Sequence, residues 1–374
     1  MSNANQAKQH YEPGTHPDLP PPLGSTGPIK WVRENLFSSP TNIVLTLLSV
    51  FFLYKIMPGM VNWSILDATF LAADRNECRA LDTGACWAFI VQRWGLFTFG
   101  FYPSEERWRV VLAFALLVLV IVALLWENCP GRKLLLKFAL IFPFVATWLI
   151  VGGLGLEPVS TDKIGGFMLT VIIGITGIAL SLPLGVLLAL GRQSNLPIIK
   201  YACVGFIEFI RGVPLITLLF VASTMLSYFL PPGTNFNLLL RVLIMVTLFA
   251  SAYMAEVIRG GLQAVAKGQT EAADAMGLKY WPAMRLIVLP QALKISIPGI
   301  VSTFIGLYKD STLVIIIGLL DPLGIGQASL ADTKWQGLST EVYLFVAIFF
   351  FISCFAMSRY SLYLERKLHT GHVR

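Results

Sequence analysis

Charge is what this sequence has least of. Its 374 residues include 28 Lys+Arg and 21 Asp+Glu, so only 13% are charged, against about 25% in ordinary soluble domains. So few charges cannot cover a chain that is 56% hydrophobic, with a mean hydropathy of +0.71. A disordered, fibrous or ordinary soluble protein is excluded, and a polytopic membrane protein is indicated. Other absences narrow the chemistry. The four histidines (His10, His16, His369 and His372) all lie in the terminal tails, which excludes a His-ligated metal centre inside the membrane. The five cysteines (Cys78, Cys86, Cys129, Cys203 and Cys354) form no CxxC pair and no metal-ligand spacing. No dense Lys/Arg cluster exists, so the net charge of +7 reads as the basic ends of membrane spans rather than a nucleic-acid surface. No apolar h-region stands near the first residues, so no signal peptide is expected there.

What is present is a series of long apolar runs. A helical span needs roughly 20 mostly apolar residues. That rule marks Asn42–Met60, Val110–Trp126, Leu135–Leu156, Ile164–Leu190, Tyr201–Leu230, Leu238–Val257, Ile295–Leu320 and Val342–Tyr363. The expected fold is an all-α membrane protein with about eight transmembrane helices. Tyr201–Leu230 is long for one crossing and contains Arg211, Gly212 and Pro214, so a kink is expected. Pro143, Pro183 and Pro298 also interrupt spans. Before the first span, residues 1–40 form a Pro-rich tail with little to bury, expected to be disordered. Within it, Ile29 to Phe37 can form a short interfacial helix.

Charge sets the orientation. With the N-terminus in the cytoplasm, the inside segments hold Lys30 and Arg33; Arg132, Lys133 and Lys137; Arg192 and Lys200; Arg259, Lys267, Lys279, Arg285 and Lys294; and Arg366, Lys367 and Arg374. The outside connections after Leu156, Leu230 and Leu320 hold only Lys163 and Lys334. This asymmetry places both termini inside. The outside segment 61–109 carries Cys78 and Cys86, which can oxidise if that face is periplasmic; two free thiols are the alternative. Cys203 and Cys354 fall in spans and read as small packing residues.

The longest inside connection, 259–294, reads as two short helices around a glycine. Thr270 is a good N-cap, Glu271 and Asp274 would sit in the first turn, Gly277 is a C′ residue, and Pro282 would open the second helix. Ala272, Ala275 and Met276 share a small apolar face suited to docking. Here Glu271-Ala272-Ala273, then Gly277, then Ile287-x-Leu289-Pro290, match EAA-x3-G-x9-I-x-LP at every fixed position across 20 residues. The stretch resembles the EAA signature of permease subunits of binding-protein-dependent ABC importers. Glu208 to Leu215 resembles the E-x-x-RGTPL stretch of polar amino acid permeases, with Val213 in place of Thr. Lys309-Asp310-Ser311-Thr312-Leu313 resembles their KDTSL stretch, with Ser and Thr exchanged.

The resemblance covers Ile164 onward, a five-span permease core in residues 161–374. Residues 41–160 then read as three accessory spans, of the kind found in long permeases of the general L-amino acid and glutamate/glutamine/aspartate type. It implies an inner-membrane, non-catalytic subunit whose EAA loop couples to a cytoplasmic ABC ATPase dimer. A second homologous permease, in a heteromer with a homodimer as the alternative, and a periplasmic amino-acid-binding protein complete the expected assembly. No G-x4-GK-[ST] loop is present, so ATP and magnesium belong on the partner and no cofactor on this chain.

Charges inside spans need partners, water or an interface, since each costs ~2.5–3.5 kcal/mol at the bilayer centre. Lys309 lies about 14 residues into its span, roughly 21 Å along a helix. Lys309, Asp310, Ser311 and Thr312 either line the translocation route or bond neighbouring helices; the residues leave both open. Glu208 and Arg211, at i and i+3, can pair on their own helix, as a gate or beside the substrate. Glu256 reads as an inner-end residue. Rival readings are an importer of another polar solute, an ion-gradient-driven secondary transporter, and a membrane enzyme. The last lacks any His, Cys or paired-carboxylate constellation within the spans.

Overall fold

The computed structural model describes residues 27–81, 84–126, 128–225, 228, 231 and 236–368. The Pro-rich stretch up to residue 26 lies outside them. Among the described residues the chain is helical, with isolated bridges but no strand. It divides into two compact units, one of residues 1–68 and 82–85, the other of residues 69–81 and 86–374.

The smaller unit contains α1 (Pro28–Asn35), where an interfacial helix is expected, and α2 (Pro40–Val61). Ser39 caps α2 by accepting the Asn42 N–H at 3.2 Å, and Pro40 occupies a first-turn position whose N–H would be free anyway. The helix widens into a π turn over Asn62–Leu66.

The larger unit opens with three short helices, α3 (Arg75–Leu81), α4 (Ala88–Gln92) and α5 (Trp94–Phe99). Long apolar helices follow: α6 (Arg107–Leu125), α7 (Arg132–Val151) and α8 (Gly166–Arg192). Then come α9 (Pro197–Gly212), α10 (Leu215–Phe220) and α11 (Leu238–Ala264). Two short helices, α12 (Lys267–Ala275) and α13 (Tyr280–Ala283), precede α14 (Leu289–Asp310). The chain ends with α15 (Pro322–Ser329) and α16 (Ser339–Leu368). Among the described residues seven helices are long and apolar enough to cross a membrane, and the α9–α10 pair makes an eighth.

That pair is sharper than the expected kink. It turns by 102° at Val213–Pro214. Val213 is extended (φ −110°, ψ 132°), the conformation that a following proline favours. Pro143, Pro183 and Pro298, by contrast, sit inside unbroken helices. Of these four prolines, Pro214 alone divides its span.

The core forms where small residues let α8, α11 and α14 approach. A Cβ on Gly177 would meet Leu307 of α14 at 2.8 Å and Val246 of α11 at 3.4 Å, and one on Gly185 would meet Met254 at 2.6 Å. Met168, Ile173, Val246 and Leu307 are buried around this contact, and Val110 of α6 and Leu149 of α7 join the same cluster. The pair α6–α7 therefore shares a core with α8, α11 and α14. In a membrane, close packing of this kind takes over from hydrophobic burial as the force that joins helices.

At the end of the molecule where α8 starts, Cys78 and Cys86 form a disulfide with a Cα–Cα distance of 5.8 Å. Phe89, Phe97 and Trp335 pack beside it, Arg93 pairs with Asp332, and the Arg75 N–H donates to Lys334 O at 2.9 Å. These contacts fasten α3–α5 to the segment between α14 and α16. Gly166 closes the arrangement: its N–H donates to Leu320 O at 2.8 Å, and its φ of +61° with Phe97 O alongside leaves no room for a side chain.

Candidate functional site

Two features gather at the opposite end, where α8 finishes and α11 runs into α12. The first is the expected helix–bend–helix. α11 stays helical to Ala264 and α14 begins at Leu289, so the connection is shorter than 259–294. Thr270 is not the cap of α12. The helix starts earlier, after Ala266, which leaves Glu271 and Asp274 beyond its first turn. The C-terminus is as the sequence implies. Gly277 has φ +74°, its N–H donates to Asp274 O at 2.9 Å, and the Leu278 N–H donates to Ala273 O at 3.0 Å. This is a Schellman closure, in which two otherwise orphaned carbonyls gain donors. Pro282 is the third rather than the first residue of α13, still in the turn whose N–H groups have no helical partner.

Burial divides the signature by role. Ala273 and Ala283 are fully packed against the protein, and Val288 follows them. Glu271, Ala272, Ala275, Met276, Tyr280, Trp281 and Leu286 face outward, Met276 at 79% exposure. Ile287 and Leu289 are half-buried and Pro290 is exposed in the first turn of α14. Gln291 donates to both Ile287 O (2.9 Å) and Gln269 Oε1 (3.1 Å), tying the base of α14 to α12. The result is a small, firmly based projection whose outer face is apolar and carries Glu271 and Asp274 together with Lys267, Lys279 and Arg285.

The second feature is an ion cluster. Glu208 and Arg211 do not pair with each other. Glu208 accepts from Arg192 at 3.0 Å, and Arg211 reaches Glu256 at 3.4 Å while lying 5.6 Å over the Tyr253 ring. Glu256 is the hub: Arg192 approaches at 2.6 Å and Arg259 at 3.0 Å. Three guanidiniums and two carboxylates thus join the last turn of α8, the later turns of α9 and the late turns of α11. Arg259 stands five residues before the end of α11, so the cluster abuts the base of the projection.

Lys309, Asp310, Ser311 and Thr312 sit elsewhere. Gly299 of α14 lies against Val257, level with the ion cluster, and Lys309 is ten residues further on, ~15 Å at 1.5 Å per residue. α14 ends at Asp310, and Ser311–Ile317 continue as a 3-10 helix. The buried Ser311 hydroxyl donates to Tyr308 O at 2.8 Å and the Thr312 hydroxyl to Lys309 O at 3.0 Å. Lys309 is exposed and Asp310 half-buried. The structure therefore does not bring Glu208 and Arg211 together with the Lys309–Thr312 group.

Comparison with known proteins identifies the family. The family described as binding-protein-dependent transport system inner membrane component matches residues 181–370, which include the projection, the ion cluster and the α14 group. The chain belongs to that family. It is thus the membrane-spanning permease subunit of an ABC importer. It is 47% identical to the glutamate/glutamine/aspartate/asparagine transport system permease protein BztC of Rhodobacter capsulatus, across 94% of this chain and 96% of the relative. It is likewise 47% identical to the inner membrane amino-acid ABC transporter permease protein YhdY of Escherichia coli, across 96% and 98%. A crystallised amino acid ABC transporter with histidines is 30% identical over 53% of this chain and 90% of its own, with a TM-score of 0.48.

Within the permease, Arg192 and Arg259 are the functional candidates that sequence reasoning missed. In the sequence they stand out only as orienting charges. The signal available is their position: each stands at the same end of its helix as Glu256, and Arg192 has no acidic neighbour of its own in α8.

Proposed function

We propose that this permease carries polar L-amino acids, with α12 as the helix gripped by a cytoplasmic ATPase dimer. The observation that carries the reading is the projection: an outward apolar face with mixed charges, locked at its base by Ala273, Ala283 and the Gln291 bonds. ATP and magnesium reside on the ATPase, whose closure pulls α12 and, through α11, the cluster around Glu256. The projection and both termini lie in the cytoplasm and the disulfide faces the periplasm, the orientation favoured by the cations of the shorter connections. A soluble receptor delivers the substrate there. Amino acids are the cargo because BztC and YhdY, alike over nearly their whole length, bear amino-acid transport names. A second, related permease completes the pathway, with Lys309, Asp310, Ser311 and Thr312 on the wall of the route between the two.

The test is reconstitution. The complex purified from native membranes through a tag on this chain is expected to contain an ATPase, a second permease and a receptor. In liposomes it should take up labelled glutamate or glutamine only with ATP, and Glu271→Lys should abolish uptake while the variant still inserts. Gradient-driven uptake by the chain alone would instead identify a secondary transporter.

A further inference from the structure

α6 and α7 pack on each other along their lengths, and neither runs closely beside α8 or α11. They meet the core near one end, through Val110 and Leu149. The gap between this hairpin and the core helices is a cavity of about 420 Å³. Phe114 and Leu117 of α6, Ala146 of α7, Ile175 and Ala179 of α8 and Leu243 of α11 form its predominantly apolar walls. Thr147, also in the lining, turns its hydroxyl back to Pro143 O of its own helix at 2.8 Å. At the end facing the disulfide side the lining becomes polar, with Thr161 and Asn237 hydrogen-bonded to each other. Asp162 and Lys163, both exposed and just beyond the lining, follow in the same turn.

The dimensions select the occupant. Along α8 the lining runs from Val171 to Leu180, nine residues or about 13.5 Å. One leaflet of a hydrocarbon core ~30 Å thick has nearly that depth. Spread over that length, about 420 Å³ open to the centre of a water-sized sphere corresponds to walls roughly 9 Å apart. A helix with its side chains is about 10–12 Å wide and does not fit. Water finds few partners on such walls, and an empty gap forfeits the dispersion contacts of every residue lining it. A single extended hydrocarbon chain meets all three conditions.

We propose that this cavity is a phospholipid site. One acyl chain of a lipid in the leaflet on the disulfide side fills the gap between the α6–α7 hairpin and the core. Its zwitterionic headgroup rests at the polar end, beside the ammonium of Lys163 and the carboxylate of Asp162. The lipid thereby completes the packing of a hairpin that protein contacts alone leave open.

The test uses the full-length chain in its purified complex. After detergent delipidation, palmitoyl-oleoyl phosphatidylethanolamine is added back and bound lipid is counted by native mass spectrometry. Wild type should retain one lipid at this site. The cavity-filling pair Ala146→Phe with Ala179→Phe should bind it at least fivefold more weakly. Leu140→Phe, at a residue of α7 that is 78% exposed, should match wild type. Equal retention by all three proteins overturns the proposal. Because the filled variant can fail to fold, a density map of the wild-type complex in nanodiscs decides independently. A tube of non-protein density in the gap supports the site, whereas a gap occupied by α2, by another protein segment, or closed by movement of α6–α7 rules it out.

Discussion

Arg192, the last residue of α8, holds Glu256 of α11 at 2.6 Å. The bond spans two core helices at the level where α11 hands over to the projection. Glu256 has three arginines and only 16% side-chain exposure, whereas Glu208, the second carboxylate, is 55% exposed. The two acids should therefore behave differently. Removing one partner of a buried pair costs about 3–5 kcal/mol; partial exposure reduces that, and Glu256→Gln should cost at least about 2 kcal/mol. Glu208→Gln should cost about 0–1 kcal/mol, the range of exposed pairs. Thermal unfolding in detergent measures both, and equal effects would contradict the hub.

Gly277 ends α12 at φ +74° with open space where a Cβ would point. Substitution there strains the backbone without any clash. Gly277→Ala should cost about 1–2 kcal/mol of local stability and tilt the projection, lowering ATP-driven uptake more than membrane insertion. Gly277→Asn should retain more uptake, because Asn tolerates the left-handed region. Comparable loss in both would mean that bulk, not conformation, matters at this position.

Cys78 and Cys86 close an eight-residue separation, and the Cys86 N–H donates to the buried Glu341 carboxylate at 3.3 Å. The bridge thus steadies a contact between the α3–α5 element and the start of α16. Cys78→Ser with Cys86→Ser should lower stability by roughly 2–3 kcal/mol. Dithiothreitol should lower the melting temperature of wild type and leave the double variant unmoved. If the reductant shifts both proteins alike, the bridge is not what it acts on.

Local features of this permease are legible in its sequence and tertiary ones are not. The apolar runs give the spans because twenty such residues have one stable arrangement in lipid. The left-handed Gly277 is legible because a helix that must stop needs a residue without a Cβ. The start of α12 is not, because Thr270 is a good cap that the chain bypasses in favour of a longer helix from Lys267. The partner of Glu208 is hidden for a related reason. Arg211 is three residues away in sequence, but Arg192 arrives from another helix, and only the crossing of α8 over α9 brings it within 3.0 Å. The turn at Pro214 is visible as an interruption, yet its 102° depends on Val213 being free to extend.

Asp321 carries the last prediction. It lies between the spans, fully buried, and caps α15 by accepting the Gly324 N–H at 2.9 Å with Oδ1, while Oδ2 has no partner among the described residues. Burial pushes its carboxyl from 3.8 up to about 6, and the N–H donors only partly oppose this. A folded value above the unfolded one means that the native state holds the proton more tightly. The resulting stabilisation is complete below about pH 4 and is lost as pH rises through about 6. It amounts to roughly 3 kcal/mol, since each tenfold gain in proton affinity is worth about 1.36 kcal/mol. Asn keeps the capping oxygen but cannot ionise. The difference in unfolding free energy between wild type and Asp321→Asn should therefore move against wild type between pH 4 and 6 and then level off. A difference that stays flat over that interval would show that Asp321 is ionised in the folded permease throughout, and that its orphan oxygen has a partner.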